Sequence, residues 1–149
     1  MIDADGVTPL PHAVWDQVDN VQQAVMETIA TLAPLHASFI FTDCAFEGDD
    51  GDRKSYELMR TTAERRKALF VPIRILCSEE EVARRTVSHG RKEQLKSIDA
   101  VDGARLVRTR AILDPHHENQ MTLDISTLSA EESARGIARH IEAVGSRPS

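Results

Sequence analysis

The 149-residue chain has few of the features that mark secreted and membrane-spanning proteins. Its two cysteines, Cys44 and Cys77, form no CxxC pair, and the sequence predicts that both are buried, reduced thiols. No apolar run approaches the roughly 18 residues of a membrane span, and the first residues form neither a basic leader nor an apolar stretch. We therefore expect a cytoplasmic protein without a membrane partner.

Aromatic residues are scarce, and basic residues do not dominate the composition. Aromatic residues make up 4% of the chain and the formal net charge is -6, whereas nucleic-acid-binding domains usually carry a net basic surface. Hydrophobic residues make up 41% and charged residues 28%, which is typical of soluble globular proteins. The length suits one domain. We expect a single domain with no nucleic-acid partner.

The sequence also lacks the short motifs of several enzyme classes. It has no GxSxG and no arguable Ser-His-Asp or Cys-His set. It has no GxxxxGK[ST], whose backbone amides and lysine cradle the phosphates of a nucleotide. The adjacent His116 and His117 have no third histidine at helical spacing, which disfavours a four-coordinate zinc site.

Helix and strand patterns alternate along the chain. Five segments have apolar residues at helical spacing or a capping-box start and are predicted helices: residues 12–32, 54–67, 79–87, 103–113 and 130–143. Three short segments rich in branched and aromatic residues are predicted strands: residues 38–44, 69–77 and 121–126. This order predicts an α/β fold with a parallel sheet covered by helices on both faces. Pro72 suggests an edge position or an irregularity in the second strand.

Acidic residues crowd the loop after the first predicted strand. Asp43 follows that strand directly, and ligands of open α/β sheets bind outside the carboxyl ends of the strands. There Asp43 would hold Mg²⁺, through water, beside a phosphate. For Asp43, as for Asp49, Asp50 and Asp52, the alternative is a solvated turn that leads into a helix. The spacing does not fit an EF-hand, because Lys54 stands at the twelfth position.

Basic residues concentrate between residues 53 and 110. Arg84, Arg85, Arg91, Lys92 and Lys96 follow one another closely around a short predicted helix. Guanidinium groups match phosphate oxygens with paired hydrogen bonds, so this segment could close over a polyphosphate. The alternative is that these cations prefer the carboxyl end of a helix and solvent. The sequence leaves both interpretations open.

Four stretches of sequence, which together cover nearly the whole chain, resemble the sequences of P-loop small-molecule kinases and follow one another in the same order. That group includes adenylate, shikimate and gluconate kinases and chloramphenicol phosphotransferase, and its bacterial members are often described as AAA-family ATPases. The matching phrases are "DGVTPLPHAVWDQVDNVQQAVMETIATLAP", "SFIFTDCAFEGDDGDRKSYELM", "AERRKALFVPIRILCSEEEVARRTVSHGRKEQLK" and "LDPHHENQMTLDISTLSAEESARGI".

The resemblance implies a three-layer αβα sandwich around a parallel sheet. It is incomplete here, because the family's first strand, P-loop and first helix would stand before residue 1. Within this single partial domain, residues 1–34 would form a loop and the substrate-side helix, and residues 35–77 a strand-helix-strand unit. Residues 78–113 would form the lid-like helical region, and residues 114–143 the last strand and helix.

The same resemblance assigns roles to individual residues. Asp43 would position Mg²⁺. Three arginines would stabilise charge on the transferred phosphoryl group: Arg84, Arg85 and Arg91. Three residues would contact the nucleotide: Lys92, Ser126 and Thr127.

The function implied is that of the C-terminal portion of an ATP-dependent small-molecule phosphotransferase. Its partners would be ATP and a small-molecule acceptor, and this chain alone would show weak turnover or none. The alternative is a non-catalytic interaction module whose open sheet edges accept a strand from a partner or form a homodimer.

Overall fold

The structure is a computed structural model that describes residues 10–88 and 98–146. These residues form a mixed α/β protein with five helices and two strands. The helices are α1 (His12–Thr31), α2 (Asp50–Arg65), α3 (Glu79–Thr86), α4 (Ala100–Thr109) and α5 (Ala130–Gly145). The strands are β1 (Ile73–Leu76) and β2 (Met121–Asp124). The predicted α/β class is therefore confirmed.

The chain divides into two compact units. The first unit comprises residues 1–25 and 77–110, and the second comprises residues 26–76 and 111–149. The first unit contains α3 packed on α4, and Arg108 of α4 pairs with Glu79 of α3 at 2.8 Å. The second unit contains α2, both strands and α5.

Four of the five described helices begin at a polar side chain that caps their first amides. At α4 the carboxylate of Asp99 accepts from the amides of Val101 and Asp102. The Asp49 carboxylate accepts from the amides of Gly51 and Asp52, at 3.1 and 3.3 Å, so α2 begins four residues before its predicted start. Ser78 caps α3 by accepting from the amide of Glu81 at 3.3 Å. At α5 the predicted capping box is complete: Ser129 and Glu132 bind each other's amides.

The sheet consists of β1 and β2, which run parallel with Ile73 opposite Met121 and Leu76 opposite Asp124. The ladder continues at both ends, where the amides of Met121 and Ile125 donate to the carbonyls of Pro72 and Leu76. Pro72 therefore lies just before β1 and contributes only its carbonyl, as the missing N–H of proline requires.

The prediction of a buried strand over residues 38–44 is wrong for this structure. The segment belongs to no strand, and all of its side chains are exposed. Cys44 lies in it and is exposed as well, which corrects the expectation of two buried thiols. A strand forms only where a partner supplies hydrogen bonds, and composition alone does not identify the partner.

The buried apolar side chains of the described residues lie in the second unit. They are Met26, Ile29, Tyr56, Leu113 and Val144. The apolar stripe predicted over residues 12–32 is buried only in part, because Ile29 is covered whereas Val21 and Leu32 are exposed. Within residues 10–88 and 98–146, no helix combines the length and the apolar character needed to cross a membrane.

Candidate functional site

Residues 38–43 form an exposed segment with three apolar residues at its centre; we call it the unpaired segment. The side chains of Phe39, Ile40 and Phe41 are 42%, 93% and 43% exposed. Among the described residues, no backbone group of the segment bonds to another backbone group. The rings of Phe39 and Phe41 stack at 6.4 Å, which is the spacing of alternate side chains on one face of an extended chain.

Arg66, the first residue after α2, holds the amino end of the unpaired segment. Its guanidinium donates to the carbonyls of Ile29 at 2.5 Å and Ala33 at 3.2 Å, near the carboxyl end of α1. It also donates to Pro34 at 2.9 Å and to Ala37 at 3.5 Å, and it lies over the ring of Phe39. One cation thus binds carbonyls at and beyond the carboxyl end of α1 and contacts the first aromatic ring of the segment.

Asp43 is the last residue of the unpaired segment, and its carboxylate ties this end of the segment to α2. One carboxylate oxygen accepts from the amide of Cys44 at 2.7 Å, and the other accepts from the hydroxyl of Ser55 on α2 at 3.3 Å. Three residues later Phe46 forms an antiparallel bridge with Ile112. The segment is therefore anchored at both ends, and its uncharged residues from Ser38 to Thr42 remain open between the anchors.

The second unit has another open backbone edge along β1. Residues 72, 74 and 76 face β2, because the carbonyls of Pro72 and Leu76 accept from that side and the residues of a parallel ladder alternate. The backbone groups of Ile73 and Ile75 consequently point away from β2. Over the described ranges they bond to no other strand, and the side chain of Ile75 is exposed.

The arginines predicted to bind phosphate are held by a carboxylate on their own helix. Arg84 donates to both oxygens of Glu81, at 2.7 and 2.6 Å, and Arg85 donates to one of them at 2.6 Å. These hydrogen bonds, that of Arg84 first, lower the pKa of Glu81 from 4.5 to about 2. Arg91 and Lys92 lie outside the described residues.

Ser126 and Thr127 lie in the loop after the carboxyl end of β2. The Asp124 carboxylate accepts from the amide of Ser126 at 2.9 Å and from its hydroxyl at 2.5 Å, and these bonds lower the pKa of Asp124. Thr127 is exposed. Asp43 belongs to the same unit as this loop, but its carboxylate accepts hydrogen bonds from Cys44 and Ser55. The structure therefore does not join Asp43 to the predicted nucleotide loop by a hydrogen bond.

The loop before β2 uses its acid and histidines for internal contacts. Asp114 accepts from the side-chain amide of Gln120 at 2.9 Å and pairs with Arg74 at 3.5 Å, and the hydrogen bond of Gln120 is the main cause that lowers the pKa of Asp114. The ring of His117 packs edge-on against Phe70. In the part of the chain that is described, no group of three or more metal-binding side chains could hold an ion.

Sequence reasoning missed Arg66. Its guanidinium binds four backbone carbonyls and the ring of Phe39 at the amino end of the unpaired segment. The carbonyls that Arg66 binds stand 29 to 37 residues earlier in the chain. No spacing rule connects residues that far apart. The available signal was local: a basic residue in the last turn of the predicted helix over residues 54–67.

Comparisons with protein-family models, with curated proteins and with solved structures found no match to this chain. A proposal about its function therefore rests on the contacts described above and on the sequence.

Proposed function

We propose that the chain is an interaction module that takes up a β-strand from another polypeptide along the unpaired segment. One observation carries the proposal: Phe39, Ile40 and Phe41 are consecutive, apolar and exposed, and their backbone has no pairing partner in residues 10–88 and 98–146. Such a segment presents a row of donors and acceptors together with apolar side chains, which is the template that strand addition uses.

Strand addition would gain free energy from new backbone hydrogen bonds and from the burial of apolar side chains. Each backbone hydrogen bond formed in place of hydration contributes about 1 kcal/mol. Covering a large apolar side chain such as Ile40 contributes about 1.5–3 kcal/mol. Because Arg66 and Asp43 already hold both ends of the segment, less conformational entropy is lost when a strand docks than for a free loop.

The direct test is a titration of the full chain with a short labelled peptide of alternating valine and threonine, followed by fluorescence anisotropy. We expect saturable binding. The same peptide with every backbone amide N-methylated keeps its side chains and loses its N–H donors on both edges, so it should bind roughly tenfold more weakly or worse. Equal binding of both peptides would contradict pairing through the backbone.

A pair of variants locates the binding site. Ile40→Lys places a charge in the middle of the segment and should abolish binding of the peptide. Val101→Lys adds the same charge at an exposed apolar position of α4 and should leave binding unchanged. If both variants bind as the unaltered chain does, the unpaired segment is not the site.

A second candidate function is the C-terminal portion of an ATP-dependent phosphotransferase of P-loop kinase type. It is favoured by the parallel pairing of β1 with β2, whose connection passes through helices, and by the loop of Ser126 and Thr127 at the carboxyl end of β2. In this proposal the unpaired segment and β1 flank a central strand that residues 10–88 and 98–146 do not contain, within a three-layer sandwich. Asp43 would then position Mg²⁺ beside the nucleotide.

This second candidate has its own experiment, a calorimetric titration of the chain with magnesium-ATP. We expect no sub-millimolar binding, because the sequence has no GxxxxGK[ST]. If this chain is extended by a P-loop with the motif GxxxxGK[ST] and then turns over ATP, Arg85→Ala should lower the kcat of the extended chain. Unchanged turnover would remove Arg85 from the mechanism.

A further inference from the structure

The unpaired segment has opposite charges at its two ends. At the amino end the guanidinium of Arg66 reaches the carbonyl of Ala37 and covers the ring of Phe39, 5.4 Å from its centroid. At the carboxyl end stands the exposed carboxylate of Asp43. The five residues between Ala37 and Asp43 carry no charge.

This arrangement favours one direction of pairing between two such segments. A parallel pairing in register would set Asp43 against Asp43 and Arg66 against Arg66, so that like charges meet at both ends. An antiparallel pairing would bring Asp43 of each copy opposite Ala37 of the other, beside the Arg66 that binds there. Opposite charges on facing residues stabilise a strand pair, and like charges destabilise it.

The side chains fit the same arrangement. If Ile40 faces Ile40 of a second copy, then Phe39 of each copy lies opposite Phe41 of the other. Four aromatic rings would share one face of the new strand pair, because Phe39 and Phe41 already stack on one face. The acidic residues that follow Asp43 would lie at opposite ends of the pair rather than together.

We infer that the strand taken up by the unpaired segment is the same segment of a second copy, paired antiparallel around a two-fold axis at Ile40. This inference rests on the proposed interaction function and names its partner. The two-fold axis makes the interface closed and self-complementary, so it gives a dimer rather than a filament.

The first experiment measures the mass in solution by light scattering, from low to high micromolar concentration. The unaltered chain should reach the mass of a dimer. Ile40→Lys should raise the dimer Kd by roughly tenfold or more. Val101→Lys is again the control, because Val101 is an exposed apolar residue of α4 outside the segment, and this variant should dimerise as the unaltered chain does.

The second experiment tests the direction of pairing by disulfide trapping, in a background where both native cysteines are replaced by serine. Facing residues of antiparallel strands are close enough for a disulfide bond. Ile40→Cys should therefore give a covalent dimer on oxidation. Thr42→Cys should not, because Thr42 would face Ser38 of the second copy. Efficient cross-linking of Thr42→Cys would indicate parallel pairing and overturn the arrangement.

The outcomes separate this inference from the proposed function. A chain that stays monomeric at all concentrations but binds the valine-threonine peptide would overturn the inference and leave the proposed function standing. A dimer that is unaffected by Ile40→Lys and does not trap through Ile40→Cys would also overturn it. Circular dichroism of each variant shows whether the variant is folded.

Discussion

The guanidinium of Arg66 lies over the ring of Phe39, with 5.4 Å between its central carbon and the ring centroid. The same guanidinium donates to the carbonyls of Ile29 and Pro34 around the end of α1. Arg66 therefore links the end of a helix to an apolar segment that has no strand partner among the described residues. This link keeps Phe39 in a fixed place although its ring is partly exposed to solvent.

Arg66→Gln should destabilise the chain. The variant loses charge-assisted hydrogen bonds to the carbonyls of Ile29 in α1 and Pro34 after it, and the contact with the ring of Phe39. Since hydrogen bonds to charged groups contribute about 1.5–3 kcal/mol, we expect the free energy of unfolding to fall by about 2 kcal/mol. Urea denaturation measures it. Arg139→Gln, at an exposed position of α5, is the control and should change the stability little; equal effects would show that Arg66 has no special role.

Glu81 should make the stability of the chain depend on pH in the acid range. Folding lowers its pKa from 4.5 to about 2, through hydrogen bonds from Arg84 and Arg85. The stabilisation is fully present above about pH 4.5, and it is lost as the pH falls through about 2. An NMR titration of the Glu81 carboxyl should show the low midpoint. In Arg84→Gln the midpoint should rise towards the ordinary value, and an unshifted midpoint would contradict the pairing.

Two Gly→Ala substitutions should have opposite effects on stability. At Gly103 in α4 an added methyl group would lie 2.9 Å from the hydroxyl oxygen of Thr86. Thr86 is 4% exposed and its hydroxyl donates to the carbonyl of Val82, so it cannot move aside easily. We expect Gly103→Ala to lower the free energy of unfolding by about 1–2 kcal/mol through overpacking.

Gly136→Ala is the matched variant in α5. There the nearest atom to the added methyl group is the terminal carbon of Met121 at 4.0 Å, an ordinary contact. Alanine should therefore stabilise the helix by about 0.5–1 kcal/mol over glycine. Thermal denaturation compares the two variants. A stabilising Gly103→Ala would contradict the close packing of α3 on α4.

Asp49→Ala should weaken the start of α2. The carboxylate of Asp49 accepts from the amides of Gly51 and Asp52, and loss of such a cap costs about 1 kcal/mol. Asp49→Asn keeps an acceptor oxygen and should retain most of the stability. Urea denaturation distinguishes the two variants, and equal losses for both would show that the charge rather than the cap matters.

The parts of the fold that depend on neighbouring residues could be predicted from the sequence. The pairs Ser78 with Glu81 and Ser129 with Glu132 mark helix starts because a cap acts over three residues. The strand over residues 121–126 was placed within two residues of β2. The acidic residues after Asp43 form the cap and first turn of α2, which is the simpler of the two interpretations given above.

The parts that depend on distant partners could not be predicted. Residues 38–44 have the composition of a strand, but strand formation needs a neighbour, and in this structure none lies beside them within the described residues. The role of Arg66 depends on the carbonyls of Ile29 and Pro34, which lie 37 and 32 residues earlier in the chain. The position of Asp43 at the end of a predicted strand suggested an ion-facing carboxylate; in the structure that strand is absent from residues 38–44, and the carboxylate accepts hydrogen bonds from Cys44 and Ser55. The roles of Asp43, Arg84 and Arg85 at a phosphate stay predictions.

Amide hydrogen exchange along residues 39–43 tests most directly whether this segment is an open site for strand pairing. In dilute solution we predict exchange close to the rate of an unstructured chain, and slower exchange, by roughly tenfold or more, when the valine-threonine peptide is added or the protein is concentrated. Amides of Phe39, Ile40 and Phe41 that are already protected in the dilute monomer would contradict the account.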